Sequence, residues 1–243
     1  MSQEWKERTL LQVGEDGIKA LEEARIAIVG LGGVGAYAAE MLCRAGVGSF
    51  VLADSDVISE TNKNRQLLAL DSTIGKKKTA VISERMRDIN NLVQIDIIDE
   101  FLTEENIGPV FGDALKSSDF VIDAIDTLTP KIALIKFCID NRLPLVSSMG
   151  AGAKYDATKV RLADIKNSFN CPLAYMLRKR LHKIGIRSGF NVVFSEEKPI
   201  KEAIIPMEER NKKSRTGTVS YLPAVFGCVC AQAAIQHILR LVY

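Results

Sequence analysis

Short β-rich apolar runs alternate with stretches of helical apolar spacing through the first 150 residues. Arg25-Ile26-Ala27-Ile28-Val29 is a strand-like run that ends at glycines, and residues 34–45 then read as a helix closed by Gly46 and Gly48. Phe50-Val51-Leu52-Ala53 is a second strand. Past Gly75, the apolar residues Val81, Ile82, Met86 and Ile89 recur close to every fourth position and predict a helix. Residues 93–98 alternate polar with apolar, as a strand does, and Phe120-Val121-Ile122 is a short buried strand ending at Asp123. Thr129-Pro130 opens another helix, because proline fits a first helical turn. Residues 144–146 form a fifth strand that ends in the Gly150-Ala151-Gly152 bend. A repeated β-α order of this kind predicts a doubly wound, mostly parallel sheet with right-handed crossovers.

Beyond Gly152 the pattern changes. Residues 159–165 and 190–194 suit added strands on the far side of the sheet, and Leu173 to Ile184 reads as a helix carrying Arg178, Lys179, Arg180 and Lys183. Residues 195–218 are rich in Glu, Lys, Pro and Gly with few apolar positions, which predicts a long crossover loop. Residues 222–242 return as an apolar helix, whose run from Leu222 to Ala231 is cut by Gln232, Gln236, His237 and Arg240. Burial in the core is the expected place for it. Membrane association is the alternative, since no uninterrupted run approaches the roughly 20 residues of a span.

The 243 residues, 47% hydrophobic and 26% charged, suffice for one sizeable core. With 32 basic and 30 acidic residues the net charge is +2, so any nucleic-acid contact must come from local patches. Five cysteines without regular spacing argue against a disulfide framework and for a reducing compartment, the cytoplasm. The charged start, from Met1 to Arg8, has no apolar signal core.

Gly30, Gly32 and Gly35, with Gly33 between, fit G-x-G-x-x-G after a strand and before a helix. The glycines allow a tight turn, backbone approach to phosphate and close helix–strand packing, and the helix N-terminus offers N–H groups to an anion. Asp54 lies where a carboxylate can accept hydrogen bonds from ribose. These features make the chain α/β and Rossmann-like. Alone they would suit an NAD-dependent oxidoreductase. The run Asn62-Lys63-Asn64-Arg65-Gln66 argues for a triphosphate instead, because ATP carries a more highly charged tail that needs cations. Arg65 suits forked phosphate recognition and Lys78 a point-charge contact. The triplet Lys76-Lys77-Lys78 could equally be a solvated helix start, although cations there oppose the helix dipole. Asp123 and Asp126 close the fourth strand and could share one cleft with Asp54 and Asp56, one or more of them binding Mg²⁺. Capping of the next helix is the other role open to Asp126.

Together, Gly30 to Gly35, Asp54-x-Asp56, Asn62-x-Asn64-Arg65-Gln66, Gly75-x-x-Lys78 and Asp123-x-x-Asp126 resemble the ATP site of the ubiquitin-activating-enzyme superfamily, which includes the adenylyltransferases of molybdopterin and thiamine biosynthesis. The resemblance implies a single adenylating domain, with residues 1–152 as the nucleotide-binding core and 153–243 as a substrate-side extension. It implies that Gly32 approaches the phosphates, Asp54 holds ribose, and Asn64 and Arg65 flank the β- and γ-phosphates. Lys78 would contact phosphate, and Asp126 would lie by Mg²⁺ and the reacting phosphate. Gly33, Asp56, Asn62, Gln66 and Thr127 complete the implied nucleotide contacts, and Arg8 matches an arginine that reaches the partner's site in such homodimers.

Two departures narrow the resemblance. Sulfur-carrier adenylyltransferases commonly hold a structural zinc with two Cys-x-x-Cys pairs, which this chain lacks, so no structural zinc is expected. The crossover, residues 195–218, has no cysteine for a thioester or persulfide relay, and Cys171 reads as a buried or incidental thiol. The remaining features are Asp123-Ala-Ile-Asp126-Thr127 with Lys131, Gly150-Ala-Gly152 and Tyr221-Leu-Pro-Ala-Val-Phe-Gly227. They resemble the tRNA threonylcarbamoyladenosine dehydratase branch. That branch implies ATP-dependent adenylation of a threonyl carboxylate on tRNA, followed by ring closure and release of AMP. A tRNA partner would give a role to Arg178-Lys179-Arg180-Lys183 with Arg187, and to Lys212, Lys213 and Arg215, each of which could instead be a solvated face. The alternative is an adenylyltransferase acting on a sulfur-carrier or ubiquitin-like protein, with a sulfur-donor or carrier partner.

Overall fold

In the computed structural model, residues 4–209 and 212–241 are described, with 206–215 described as backbone only. The chain opens with α1 (Glu7–Glu23), a helix broken at Gly14, which the sequence pattern did not reveal. The nucleotide-binding half then runs β1 (Arg25–Val29), α2 (Gly35–Ala45), β2 (Ser49–Ala53), α3 (Lys78–Ile89), β3 (Gln94–Ile98), α4 (Gly112–Lys116), β4 (Phe120–Asp123), α5 (Leu128–Asp140) and β5 (Leu145–Ser148). The second half adds β6 (Val160–Asp164), α6 (Pro172–Lys183), β7 (Asn191–Ser195), β8 (Ile204–Glu209), β9 (Lys212–Thr216) and α7 (Tyr221–Ile238).

The seven-stranded sheet has the order β3-β2-β1-β4-β5-β7-β6. All neighbours are parallel except β6, which pairs antiparallel with β7, from Val160 opposite Ser195 to Asp164 opposite Asn191. The period of two along each strand feeds two cores. Ile26 and Ile28 of β1 join Leu42, Phe50, Met86 and Phe226 on one face, while Ala27 and Val29 join Phe111, Leu134, Ile135 and Leu177 on the other. Winding reverses between β1 and β4. Switch points of this kind are where doubly wound sheets bind their ligands.

The crossover expected as one long loop differs from that expectation. Part of it is the antiparallel hairpin β8–β9, with Ile204 opposite Thr216. Two strands can pair here with few apolar residues because the backbone hydrogen bonds of a ladder do not depend on side-chain type. The apolar tail is a core helix. Leu222, Phe226, Cys230, Ala231 and Ala234 of α7 are buried, and the helix packs against α2 and the sheet. By length and mean hydropathy, 1.3, α7 could cross a membrane, but its buried face is already occupied by the protein.

Candidate nucleotide and adenylation site

The glycine loop lies between the end of β1 and the start of α2. Gly30 has φ +94°, and a Cβ there would meet the Ala124 carbonyl oxygen at 2.8 Å, so both its conformation and its surroundings require glycine. A Cβ on Gly35 would fall 1.8 Å from the Gly30 carbonyl oxygen, which sets how closely α2 begins against the strand end. The first turn of α2 has no side-chain cap; Ala36 N–H donates to the Gly32 carbonyl at 3.3 Å, and among the described residues no side chain competes with an anion at this helix end.

Asp54 leaves β2 beside this loop. Its carboxylate accepts from Leu31 N–H at 2.6 Å and from Asp56 N–H at 2.8 Å. Burial raises its pKa above the usual carboxylate value, opposed by Lys78 and by the two backbone donors. Hydroxyl donors from a ribose would suit such a group. Lys78, at the start of α3, is buried; its Nζ lies 2.7 Å from Asp56 Oδ2 and 3.8 Å from Asp54 Oδ2. This places one cation of the basic triplet inside the site. Lys77 instead donates to the Ser55 carbonyl at 2.9 Å, and so fastens the loop.

The Asn62–Gln66 run folds as a tight turn. Asn62 accepts from Ser59 N–H at 3.1 Å, so its side chain serves the loop. Arg65 Nη1 donates to Asn64 Oδ1 at 2.8 Å and to the Thr61 carbonyl at 3.0 Å, which fixes the guanidinium beside Asn64. Asn64 Nδ2 in turn donates to the Thr218 carbonyl at 3.0 Å. Gln66 is buried with its Oε1 unpartnered, and its Nε2 would lie 3.7 Å from a Cβ on Gly32. A buried amide beside a glycine loop, its oxygen without a donor, fits a site that expects a polar ligand. A Cβ on Gly33 would lie 3.1 Å from Pro223 of α7, so the C-terminal helix closes over the loop. Thr218 was missed from the sequence, and Pro223 stood only in the Tyr221–Gly227 motif without a tie to the loop, because nothing local marks residues about 150 positions away as neighbours of the turn.

At the end of β4 the acids separate. Asp123 does not join the cleft as expected. It is fully buried, accepts from Lys131 Nζ at 2.8 Å, from Ser147 Oγ at 2.6 Å and from Ile125 N–H at 3.1 Å. Lys131 Nζ also donates to the Ile125 carbonyl at 2.9 Å. These bonds consume the Asp123 carboxylate and shape the Asp123–Thr127 turn. Asp126 is exposed on that turn, and Thr127 is the buried N-cap residue of α5, without a side-chain cap bond. Among the described residues no three His, Cys, Asp or Glu side chains are grouped to hold a metal. One exposed carboxylate with phosphate oxygens is nevertheless an ordinary donor set for Mg²⁺.

Some candidate residues lie elsewhere. Arg8 is exposed in the first turn of α1. Two residues before it, Lys6 pairs with Glu22 at 2.7 Å and packs on the Gly46 turn, beside the beginnings of β1 and β2. The glycine loop follows the opposite ends of those strands, about 16 Å away for five residues. Arg178 points inward rather than to solvent: Nη1 donates to the Ser168 carbonyl at 2.6 Å. Lys212, Lys213 and Arg215 lie on β9, where side chains are outside the described residues. Cys171 caps α6, its Sγ accepting from Ala174 N–H at 3.5 Å. Burial pushes the Cys43 thiol up to about 12 and also raises Cys138, Cys228 and Cys230.

The chain is similar to known proteins over nearly its whole length. The tRNA threonylcarbamoyladenosine dehydratase of Bacillus subtilis is 37% identical over 241 residues, 96% of this chain and 94% of the relative. The enzyme of that name from Haemophilus influenzae is 40% identical over 236 residues, 93% and 89% of the two chains. The crystal structure of the Escherichia coli tRNA N6-threonylcarbamoyladenosine dehydratase in complex with ATP superposes with a TM-score of 0.88 at 33% identity, covering 98% of this chain and 96% of that one. The ThiF family model matches residues 6–241, and with that near-complete match the chain belongs to the ThiF family.

Proposed function

We propose that the protein is an ATP-dependent tRNA threonylcarbamoyladenosine dehydratase acting in the cytoplasm. The observation that carries this reading is a phosphate wall, Asn64, Arg65 and Lys78, set opposite the glycine loop and beside Asp54 at the switch point of the sheet. Asp54 would hold the ribose, α2 and Gly32 would face the phosphates, and Arg65 and Lys78 would neutralise the triphosphate. Asp126, exposed on the turn after β4, would hold Mg²⁺, which would balance charge on the departing pyrophosphate.

A threonyl carboxylate is a poor acyl electrophile. Its oxygen attacks the α-phosphorus of ATP, pyrophosphate leaves, and an acyl-adenylate forms. An internal nucleophile of the modified nucleoside then attacks the acyl carbon, loses its proton and expels AMP, so the nucleoside loses one water. The protein positions two anions and stabilises developing charge, and no thiolate is required. The raised thiol pKa values accord with that.

Arg8 fits a role in trans. It sits at the wrong end of its own sheet for its own site, so a second copy of the chain would have to present it. The test of the activity is direct. Incubation with ATP and threonylcarbamoyladenosine-bearing tRNA should yield a nucleoside lighter by one water together with AMP. An unchanged nucleoside mass, or pyrophosphate exchange that appears only with a carrier protein, would overturn the assignment.

A further inference from the structure

Beyond the nucleotide site, the same rim of the sheet carries a line of exposed aromatic rings that leads onto a helix bearing only basic charge. The line starts where α7 meets the glycine loop. Tyr221, 47% exposed, donates its hydroxyl to the Tyr155 carbonyl at 2.7 Å, and Tyr155 is itself 56% exposed. Tyr155 N–H donates to Glu197, just past the end of β7, and the adjacent Glu196 carbonyl accepts from Asn170 Nδ2 at 2.7 Å. Asn170 follows Phe169, whose ring stands edge-on to Phe194 and is 46% exposed. One turn into α6 comes Tyr175, 59% exposed.

From there α6 runs away from the rim. Ala174, Leu177 and Leu181 face the core, and Arg178 is held by Ser168. The outer face presents Tyr175, Lys179, Arg180, His182 and Lys183, and Arg187 follows in the next turn of chain. The helix contains no acidic residue, and among the described residues none of Lys179, Arg180, Lys183 and Arg187 forms an ion pair. Four exposed cations on one face, continuing a line of bare rings, set up a local positive potential that draws an anion.

Resting on the proposed activity, we infer that this track is the docking surface for an RNA stem-loop. Unpaired loop bases stack on Tyr155, Phe169 and Tyr175 near the site, and duplex phosphates lie along Lys179, Arg180, Lys183 and Arg187. The order of the two chemistries supports this occupant. Single-stranded bases are read by stacking on aromatic rings, whereas a duplex is held through its phosphates. Rings lie nearest the adenylation site, where one base must be presented, and cations lie where a stem would continue.

The test uses the full-length protein and an RNA stem-loop containing the target adenosine. The triple variant Lys179→Glu, Arg180→Glu, Lys183→Glu should bind the stem-loop at least tenfold more weakly at moderate salt. Its slope of log affinity against log salt should be shallower by about two to three, roughly one unit for each phosphate no longer neutralised. Its ATP affinity should match the parent's, which also shows that it is folded. A second variant, Tyr175→Ala with Phe169→Ala, should lose affinity with an unchanged salt slope. Parental affinity and slope in the charge variant would overturn the inference, as would a change of oligomeric state with RNA binding intact, which would make this face an interface between copies. A parent protein that leaves the nucleoside mass unchanged would instead sink the proposed activity.

Discussion

The Lys78 ammonium lies 2.7 Å from Asp56 and 3.8 Å from Asp54, so the cation proposed to meet a triphosphate is held by two neighbouring acids. Asp56 is 65% exposed at its side chain and Asp54 only 10%, so Asp56 can turn to solvent when phosphate arrives while Asp54 stays in place. Lys78→Met should weaken ATP binding by about 10- to 100-fold, the worth of one charged hydrogen bond. AMP lacks the β- and γ-phosphates and should lose much less. Titration calorimetry with both nucleotides separates the two, and equal losses would place Lys78 away from the distal phosphates.

Arg8 and Arg65 make a complementation test. Each alanine variant alone should turn over modified tRNA at least tenfold more slowly. Mixed after subunit exchange, Arg8→Ala and Arg65→Ala chains should regain part of the activity, since one mixed site then holds both arginines. Two well-folded variants that fail to complement would put Arg8 in cis or outside the reaction.

The Asp123–Lys131 pair is fully buried. Lys131→Met leaves an uncompensated carboxylate and should cost about 3–5 kcal/mol, seen as a fall in Tm of about 10 °C. Adding Asp123→Asn should restore a substantial part of that loss, because it removes the stranded charge. Additive damage in the double variant would show that packing, not charge, sets the cost.

Glu40 joins α2 to α3 by accepting from Arg85 Nη2 at 3.0 Å and from Arg44 Nε at 2.9 Å. Burial by itself would raise its pKa, but the two guanidinium groups outweigh burial and hold it below 4.5. Protons therefore bind the unfolded chain more readily, and the stabilisation is present above 4.5 and lost as pH falls through the lower folded value. Both arginines are about half exposed, so Glu40→Gln should cost only about 1 kcal/mol at pH 7. Urea midpoints of the two proteins should converge as the pH drops below that of an ordinary carboxylate. A gap that stays constant with pH would exclude the ionic origin.

Local features were legible in the sequence because local physics fixes them. The β1–Gly30–α2 unit, Asp54 at the end of β2 and Lys78 at the head of α3 follow from apolar period, glycine spacing and strand ends. The kinked α1 was not anticipated: one of its faces is apolar, but Gly14 and Gly17 are poor helix formers, and the helix breaks at Gly14, where φ is 73°. Asp123 and Asp126 look alike in sequence, three residues apart after one strand. Only the position of Lys131 and Ser147 decides that the first is buried structure, while the second stays exposed on the turn. Arg178 was grouped with Lys179 and Arg180 by adjacency, but a helix turns about 100° per residue and carries it toward Ser168.

By itself, the sequence determined the alternating α/β order, the glycine loop and the kinds of side chain proposed to meet a nucleotide, because each depends on neighbours within a turn or a strand. The tertiary structure decided which of those side chains are committed elsewhere, that Thr218 meets the Asn62–Gln66 turn and Pro223 the glycine loop, and that Arg8 stands at the far end of its own sheet. Those outcomes depend on contacts between residues distant along the chain, set by the strand order and by what burial leaves unpaired, and no local spacing encodes them.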